Sequence, residues 1–174
     1  MSSPGTASTA NERFSLAGRT AIVTGATEGI GHAIAERFVA EGGDVTICAR
    51  TDEDVDDAVA ALNDGSGGDA VGEACDVRDS DAVEALVAAT VEAFGGVDCL
   101  VNNAGASFMA SFTDISENGW ESVVDVNLGG TYNCLQATHE HLADGGGAVI
   151  NVASVAGQQG APYMSHYGAA KAGV

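Results

Sequence analysis

Strand-like and helix-like stretches alternate along this chain with little interruption, and no other feature narrows its possible folds as much. Thr20 to Val23 is a short β-rich run, followed by a glycine-rich turn and an amphipathic helix from about Ile30 to Glu41. Val45 to Cys48 is the next strand. The helix behind it places Val55, Val59 and Leu62 on one side and Asp54, Asp56 and Asp57 on the other. Val71 to Cys75 is a third strand, and Ser80 stands as N-cap to a helix whose buried face is Val83, Leu86, Val87, Val91 and Phe94. Cys99 to Val101 and Ala148 to Val152 are the fourth and fifth strands. Between them a long helical stretch starts near Gly119, with Trp120, Val123, Val124, Leu128 and Leu135 along one stripe. This alternation calls for a parallel sheet with helices on both faces, a doubly wound α/β fold. Gly65 to Gly68 and Gly145 to Gly147 read as surface turns. Residues 1–17, small and polar, read as a flexible arm before one domain over 18–174.

The charge bears on partners. Against 6 Lys and Arg stand 25 Asp and Glu, a formal net charge of −19. The carboxylates recur from Glu12 to Asp144 between apolar positions, densest from Asp52 to Asp57, as on the solvated surface of a folded domain. Such a field repels nucleic acid and anionic lipid, so neither is expected as a partner. The sole lysine is Lys171. Many carboxylates with almost no lysine suit a halophilic protein, in which concentrated salt screens self-repulsion.

Cys48, Cys75, Cys99 and Cys134 form no CxxC pair and read as free thiols, three of them in or beside strands, so no metal site is expected. The opening MSSPGTASTANERF lacks the pattern of a signal peptide, and no apolar run is long enough to span a bilayer. The expected location is cytoplasmic.

The first strand runs into Thr24-Gly25-Ala26-Thr27-Glu28-Gly29-Ile30-Gly31, and a helix follows at once. Gly25 permits a tight turn, Gly29 lets backbone N–H groups approach a pyrophosphate, and Gly31 lets the helix pack near the strand. The second strand ends in Ile47-Cys48-Ala49-Arg50, without the carboxylate that would bond the ribose 2′-hydroxyl of NAD. A guanidinium at Arg50 can instead pair with the 2′-phosphate of NADP, which favours NADP(H) over NAD(H). A surface ion pair with Asp52 or Asp54 is the alternative. After the third strand, Asp76 could accept from the adenine amino group or cap the next helix.

Tyr167-Gly168-Ala169-Ala170-Lys171 is the most specific signal, because the only lysine stands four residues after a tyrosine. At i and i+4 on a helix the two side chains share a face. A free phenol, with a pKa of about 10, is a poor acid–base group near neutrality. A cation beside it stabilises the phenolate. Ser154 ends the fifth strand on the side where such sheets bind ligands, and its hydroxyl could bond a carbonyl oxygen. Asn127, within an otherwise apolar stripe, is either a satisfied core amide or part of a proton path.

Taken together, TGATEGIG, CDV, DCLVNNAG (Asp98 to Gly105), Asn127 in DVNLGGT, Ser154 in NVASVAG and YGAAK resemble the short-chain dehydrogenase/reductase family, in its standard short branch, from about Leu16 to Val174. The resemblance, nearest to 3-oxoacyl reductase-like members, implies a Rossmann fold and hydride transfer between NADP(H) and a ketone or 3-oxoacyl substrate. It implies Tyr167 as general acid/base, Lys171 holding the nicotinamide ribose and favouring phenolate, Ser154 orienting the carbonyl, and Asn127 keeping a water in a proton relay to Lys171. Thr24, Gly25, Thr27, Gly29, Ile30, Gly31, Arg50, Asp76, Val77, Asn102, Asn103, Ala104 and Gly105 are the expected cofactor contacts, joined by Tyr167 and Lys171. Glu28 is a small departure from the pattern, since many NADP-using members carry a basic residue near there.

The family's chains continue through two more strands and a substrate-covering loop, whereas this sequence stops at Val174, three residues past Lys171. A truncated fold with an exposed edge strand is therefore expected, and a homo-oligomer, dimer or tetramer, for the full-length form. A dinucleotide-binding fragment or sensor without catalysis is the alternative reading, although such relatives usually lose the Tyr or Lys kept here. Phe108, Met109 and Phe112 read as an apolar substrate face or as buried contacts.

Overall fold

A computed structural model describes residues 15–174. Five strands form one parallel sheet: β1 (Thr20–Thr24), β2 (Asp44–Ala49), β3 (Ala70–Ala74), β4 (Cys99–Asn102) and β5 (Ala148–Asn151), in the order β3-β2-β1-β4-β5. β1 is central and wholly buried. Its register pairs Thr20 with Asp44 and Thr24 with Cys48 on one side, and Ala21 with Cys99 on the other. The direction of winding reverses between β1 and β4, and such a reversal opens a crevice at the carboxyl ends of the strands.

Alternate strand residues feed two cores, because successive side chains point to opposite faces. Ala21, Val23, Val45, Ile47 and Val101 meet Phe38 and Val39 of helix α1 (Gly29–Ala40) and Leu62 of α2 (Asp52–Asn63). Ile22, Cys48 and Leu100 meet Val83 and Leu86 of α3 (Ser80–Phe94) and Cys134 and Leu142 of α5 (Gly130–Gly145). The doubly wound arrangement expected from the sequence is therefore present.

Three local expectations are corrected. Asp79, not Ser80, caps α3, its carboxylate accepting from the N–H groups of Asp81 and Ala82. A carboxylate placed one residue earlier reaches both orphan donors, so Ser80 becomes the first helical residue. The long helical stretch is broken into α4 (Glu117–Val124), one π turn (Asp125–Gly129) and α5. The extra residue in that turn rotates the buried stripe onto Val123, Asn127, Thr131, Cys134, Thr138 and Leu142, leaving Trp120 39% exposed. Thr131 and Thr138 are accommodated there because each hydroxyl donates to the carbonyl four residues back.

β5 lies at the sheet edge with all four residues exposed, Val149 and Ile150 among them. The arm expected over residues 1–17 lies outside the described residues as far as residue 14. Leu16 already donates its N–H to the Glu41 carbonyl at 2.9 Å and packs on the first core. No described helix is long and apolar enough to cross a membrane. Two short helices, α6 (Val155–Gln159) and α7 (Ser165–Gly173), follow β5.

Candidate functional site

The carboxyl ends of β1, β2, β3 and β4 open into a cleft of about 410 Å³. Its wall at β1 is the turn Gly25–Gly29, which is tied to β2 where the Gly25 N–H donates to the Cys48 carbonyl at 2.8 Å. Gly25 has φ +62°, and a Cβ there would lie 2.9 Å from Ala104 Cα. A Cβ on Gly31 would lie 2.4 Å from the Gly25 carbonyl oxygen and 2.5 Å from Asn103 Nδ2. Glycine at both positions is therefore a packing requirement, and the sequence reading of Gly31 as a close-packing residue matches the geometry. Gly29, with φ +60°, faces open space at the start of α1, where unpaired N–H groups point outward.

Asn103 and Thr24 hold the loop in shape. The Asn103 side chain donates to the carbonyls of Thr24 (3.0 Å) and Gly25 (2.8 Å), and the Thr24 hydroxyl accepts from the N–H groups of Asn103 (3.1 Å) and Ala104 (3.0 Å). Thr24 is buried, so it shapes the cleft from behind. Ile30 turns its side chain away, into a shallow apolar depression with Leu16, Ile34 and Phe38, and does not line the cleft.

Arg50, Asp76, Val77, Asn103, Ala104 and Gly105 all line the cleft, beside Thr27, Glu28 and Gly29. Arg50 makes no ion pair among the described residues, so the alternative pairing with Asp52 or Asp54 does not occur. Asp76 does not cap α3. Its carboxylate accepts from Arg78 Nε at 2.9 Å, and this bond, with a smaller pull from Arg50, holds it below the usual carboxylate range. Cys48, Cys75, Ala106 and Val126 also line the cleft and were not read as site residues. Their signal was topological, since each sits at or just beyond the end of a parallel strand or on the π turn beside it.

The second cluster lies beyond β4 and β5. Ser154 is the N-cap of α6, its hydroxyl accepting from the Ala156 N–H at 3.2 Å. α7 carries Tyr167, partly exposed, and Lys171, whose Nζ lies 6.0 Å from the Tyr167 ring centroid. Lys171 is 7% exposed, donates to the Val152 carbonyl at 2.6 Å, and is pushed to lower pKa by burial. Asn127, fully buried in the π turn, donates to the carbonyls of Ala106 (2.7 Å) and Val123 (2.8 Å). Its Oδ1 has no partner among the described residues. A Cβ on Gly105 would lie 2.7 Å from that oxygen and 3.7 Å from Lys171 Nζ, so the two groups face one small space beside Gly105. Ser154, Asn127 and the pair Tyr167 and Lys171 come from three separate segments.

The segment from Ala106 to Ser111 is fastened to α7 and the turn before it: Ala110 donates to the Tyr163 carbonyl at 3.0 Å, and the Phe108 ring lies 4.3 Å from that of the buried His166 of α7. Tyr163 holds φ +63°, a left-handed conformation uncommon for a bulky residue. Phe108, Met109 and Phe112 are 41%, 71% and 74% exposed, so they form an apolar surface and not core contacts. Among the described residues no group of three or more His, Cys, Asp and Glu is placed to hold a metal ion.

The chain is 43% identical over 155 residues to a short-chain reductase protein, NovJ, of Streptomyces niveus, covering 88% of this chain and 58% of that one. It is 38% identical over 157 residues to a 3-oxoacyl-[acyl-carrier-protein] reductase, FabG, of Staphylococcus aureus, covering 90% of this chain and 64% of that one. A crystal structure described as a short-chain alcohol dehydrogenase from Sinorhizobium meliloti superimposes with a TM-score of 0.87 at 40% identity, over 92% of this chain and 64% of that one. The chain thus spans less than two thirds of the length of these relatives. The family model for short chain dehydrogenases matches residues 19–174, and the chain belongs to the short-chain dehydrogenase family.

Proposed function

We propose that this chain carries the dinucleotide-binding and proton-transfer parts of an NADPH-dependent reductase acting on a ketone or 3-oxoacyl carbonyl. The observation that carries the reading is the facing pair of the unpartnered Asn127 Oδ1 and the buried Lys171 Nζ, next to Tyr167. A buried oxygen with no partner and a buried cation are both costly unless a polar group or water joins them.

The cleft fits a dinucleotide. Gly29 and the open N-terminus of α1 suit a pyrophosphate, and the guanidinium of Arg50, which lines the cleft, suits a 2′-phosphate. Asp76, though held by Arg78, keeps lone pairs for the adenine amino group beside Val77. Asn103, Ala104 and Gly105 border the route from there to Tyr167 and Lys171. NADPH, when bound, supplies the hydride.

The chain's own residues hold and move the proton. Ser154 aligns the carbonyl oxygen with the phenol, and Tyr167 Oη gives it a proton. Lys171 favours the phenolate left behind, and Asn127 Oδ1 holds the water through which Tyr167 is reprotonated by way of Lys171. Phe108, Met109 and Phe112 offer an apolar face to the substrate. A dimer or tetramer, built on the exposed sides of α5 and α7, belongs to the same reading.

The test is NADPH consumption with a 3-oxoacyl thioester in molar KCl, alongside NADPH binding by fluorescence. Tyr167→Phe should lose at least about a hundredfold in turnover while still binding NADPH. Wild-type turnover in that variant would overturn the assignment.

A further inference from the structure

The segment that leaves β4 is anchored at three alternate residues. The Ala106 carbonyl accepts from Asn127 Nδ2 at 2.7 Å. The Phe108 ring lies against that of His166, with centroids 4.3 Å apart and planes inclined by 54°. Ala110 donates its N–H to the Tyr163 carbonyl at 3.0 Å. Tyr163 presents that carbonyl from a left-handed conformation, φ +63°, which a bulky residue keeps only where its surroundings impose it. α4 backs Phe108 as well: a Cβ on Gly119 would lie 3.0 Å from Phe108 Cζ, so glycine there leaves the ring its place. Phe108 is thus seated against two helices and yet stays 41% exposed.

His166 is the unusual member of this arrangement. It is fully buried, immediately precedes Tyr167 in α7, and neither ring nitrogen has a hydrogen-bond partner among the described residues. Two uncompensated polar atoms are a cost that a phenyl ring would not carry. What the imidazole does supply is an aromatic surface for Phe108, and inclined rings at this separation attract.

We propose that His166 is a positioning residue for the substrate: its ring seats Phe108 as the floor on which the apolar part of a 3-oxoacyl chain rests while the carbonyl meets Tyr167. His166 touches neither the carbonyl nor the proton and acts through Phe108. The inference rests on the proposed reductase reading and adds a preference to it. An acyl chain long enough to cover the exposed part of Phe108 gains from the floor, and an acetoacetyl group does not.

The experiment compares wild type, His166→Phe, His166→Ala, Phe108→Ala and the double variant His166→Ala with Phe108→Ala, all in molar KCl. The substrates are the uncharged N-acetylcysteamine thioesters of acetoacetate and of a long-chain 3-oxo acid, with NADPH. His166→Ala should raise KM for the long chain about tenfold, hold kcat within about twofold, and leave the acetoacetyl KM nearly unchanged. His166→Phe should keep the wild-type constants for both substrates and melt a few degrees higher, having no unpaired polar atom to bury. In the Phe108→Ala background, His166→Ala should add nothing further, as expected of a residue that acts through another. Apart from catalysis, hydrogen exchange on the cofactor-free chain should show the Ala110 N–H at least about tenfold faster in His166→Ala and unchanged in His166→Phe. The amides of β1 gauge whether each variant is folded.

A fall in kcat in His166→Phe would mean that the imidazole nitrogens take part in the chemistry, and overturns the proposal. Equal KM changes for the two substrates, additive effects in the double variant, or an Ala110 amide indifferent to His166→Ala do the same. Should His166→Ala fail to fold, Phe108→Ala must show the long-chain KM rise and His166→Phe must not. A wild-type chain that reduces neither thioester removes the reductase reading and the substrate role with it. Wild-type turnover without the KM split removes the role of His166 alone.

Discussion

The Lys171 ammonium donates to the carbonyl oxygen of Val152 at 2.6 Å, which fastens α7 to the chain just beyond β5. Burial lowers the pKa of this lysine, so the charged form is a cost to the fold. The folded state then binds fewer protons than the unfolded one between the lowered pKa and the free value of about 10.4, and stability contributed by this group rises with pH across that window. Lys171→Met should therefore abolish NADPH-dependent turnover yet melt at or above the wild-type temperature near neutrality, with any advantage shrinking as pH approaches 10. A loss of more than about 1 kcal/mol in denaturant unfolding would show that the Val152 contact outweighs the desolvation cost.

Gly31→Ala should cost about 1–3 kcal/mol of stability, because its Cβ meets backbone and the Asn103 amide that shapes the loop. The same variant should weaken NADPH binding, since Gly25 cannot keep its place. Chemical denaturation and fluorescence titration check both, and a variant with an unchanged unfolding midpoint would contradict the packing argument.

Arg50→Ala should raise the NADPH dissociation constant roughly tenfold or more while leaving that for NADH nearly unchanged. Equal losses for the two cofactors would mean that Arg50 does not meet the 2′-phosphate.

Asp98 links the starts of β1 and β4: its carboxylate accepts from the Thr20 N–H at 2.9 Å and from Arg19 Nη1 at 2.7 Å. Chiefly the Thr20 bond, and then Arg19, hold its pKa below the usual carboxylate range against burial. A depressed folded pKa gives stability that is present above the unfolded value of about 3.9 and lost as pH falls through the folded one. Asp98→Ala should cost about 1–2 kcal/mol at pH 7, and the gap from wild type should narrow as the pH falls below about 4. A gap independent of pH would locate the loss in packing.

With a net charge of −19, the fold should gain from screening. The thermal midpoint is expected to rise by about 5 °C or more between low salt and molar KCl. A flat or falling midpoint would remove the halophilic reading.

What the sequence determined by itself was the pattern: strand and helix in alternation, the glycine turn after β1, and a lysine four residues from a tyrosine. These are local properties, set by periodicity and by the steric freedom of glycine, and they were legible without neighbours. The cap of α3 was misread by one residue because Asp79 and Ser80 both suit that role in sequence. The stripe of the long helix was misread because nothing in the letters announces a π turn, and the burial of Thr131 and Thr138 inverts the hydropathy that marks a core. Only the tertiary structure could decide that, among the described residues, Arg50 is left unpaired and Asn127 keeps an unpartnered oxygen beside Lys171, and that Cys48 and Cys75 both line the cleft. Each depends on strand register and on the distance between segments far apart in the chain, and neither is a property of the segments alone.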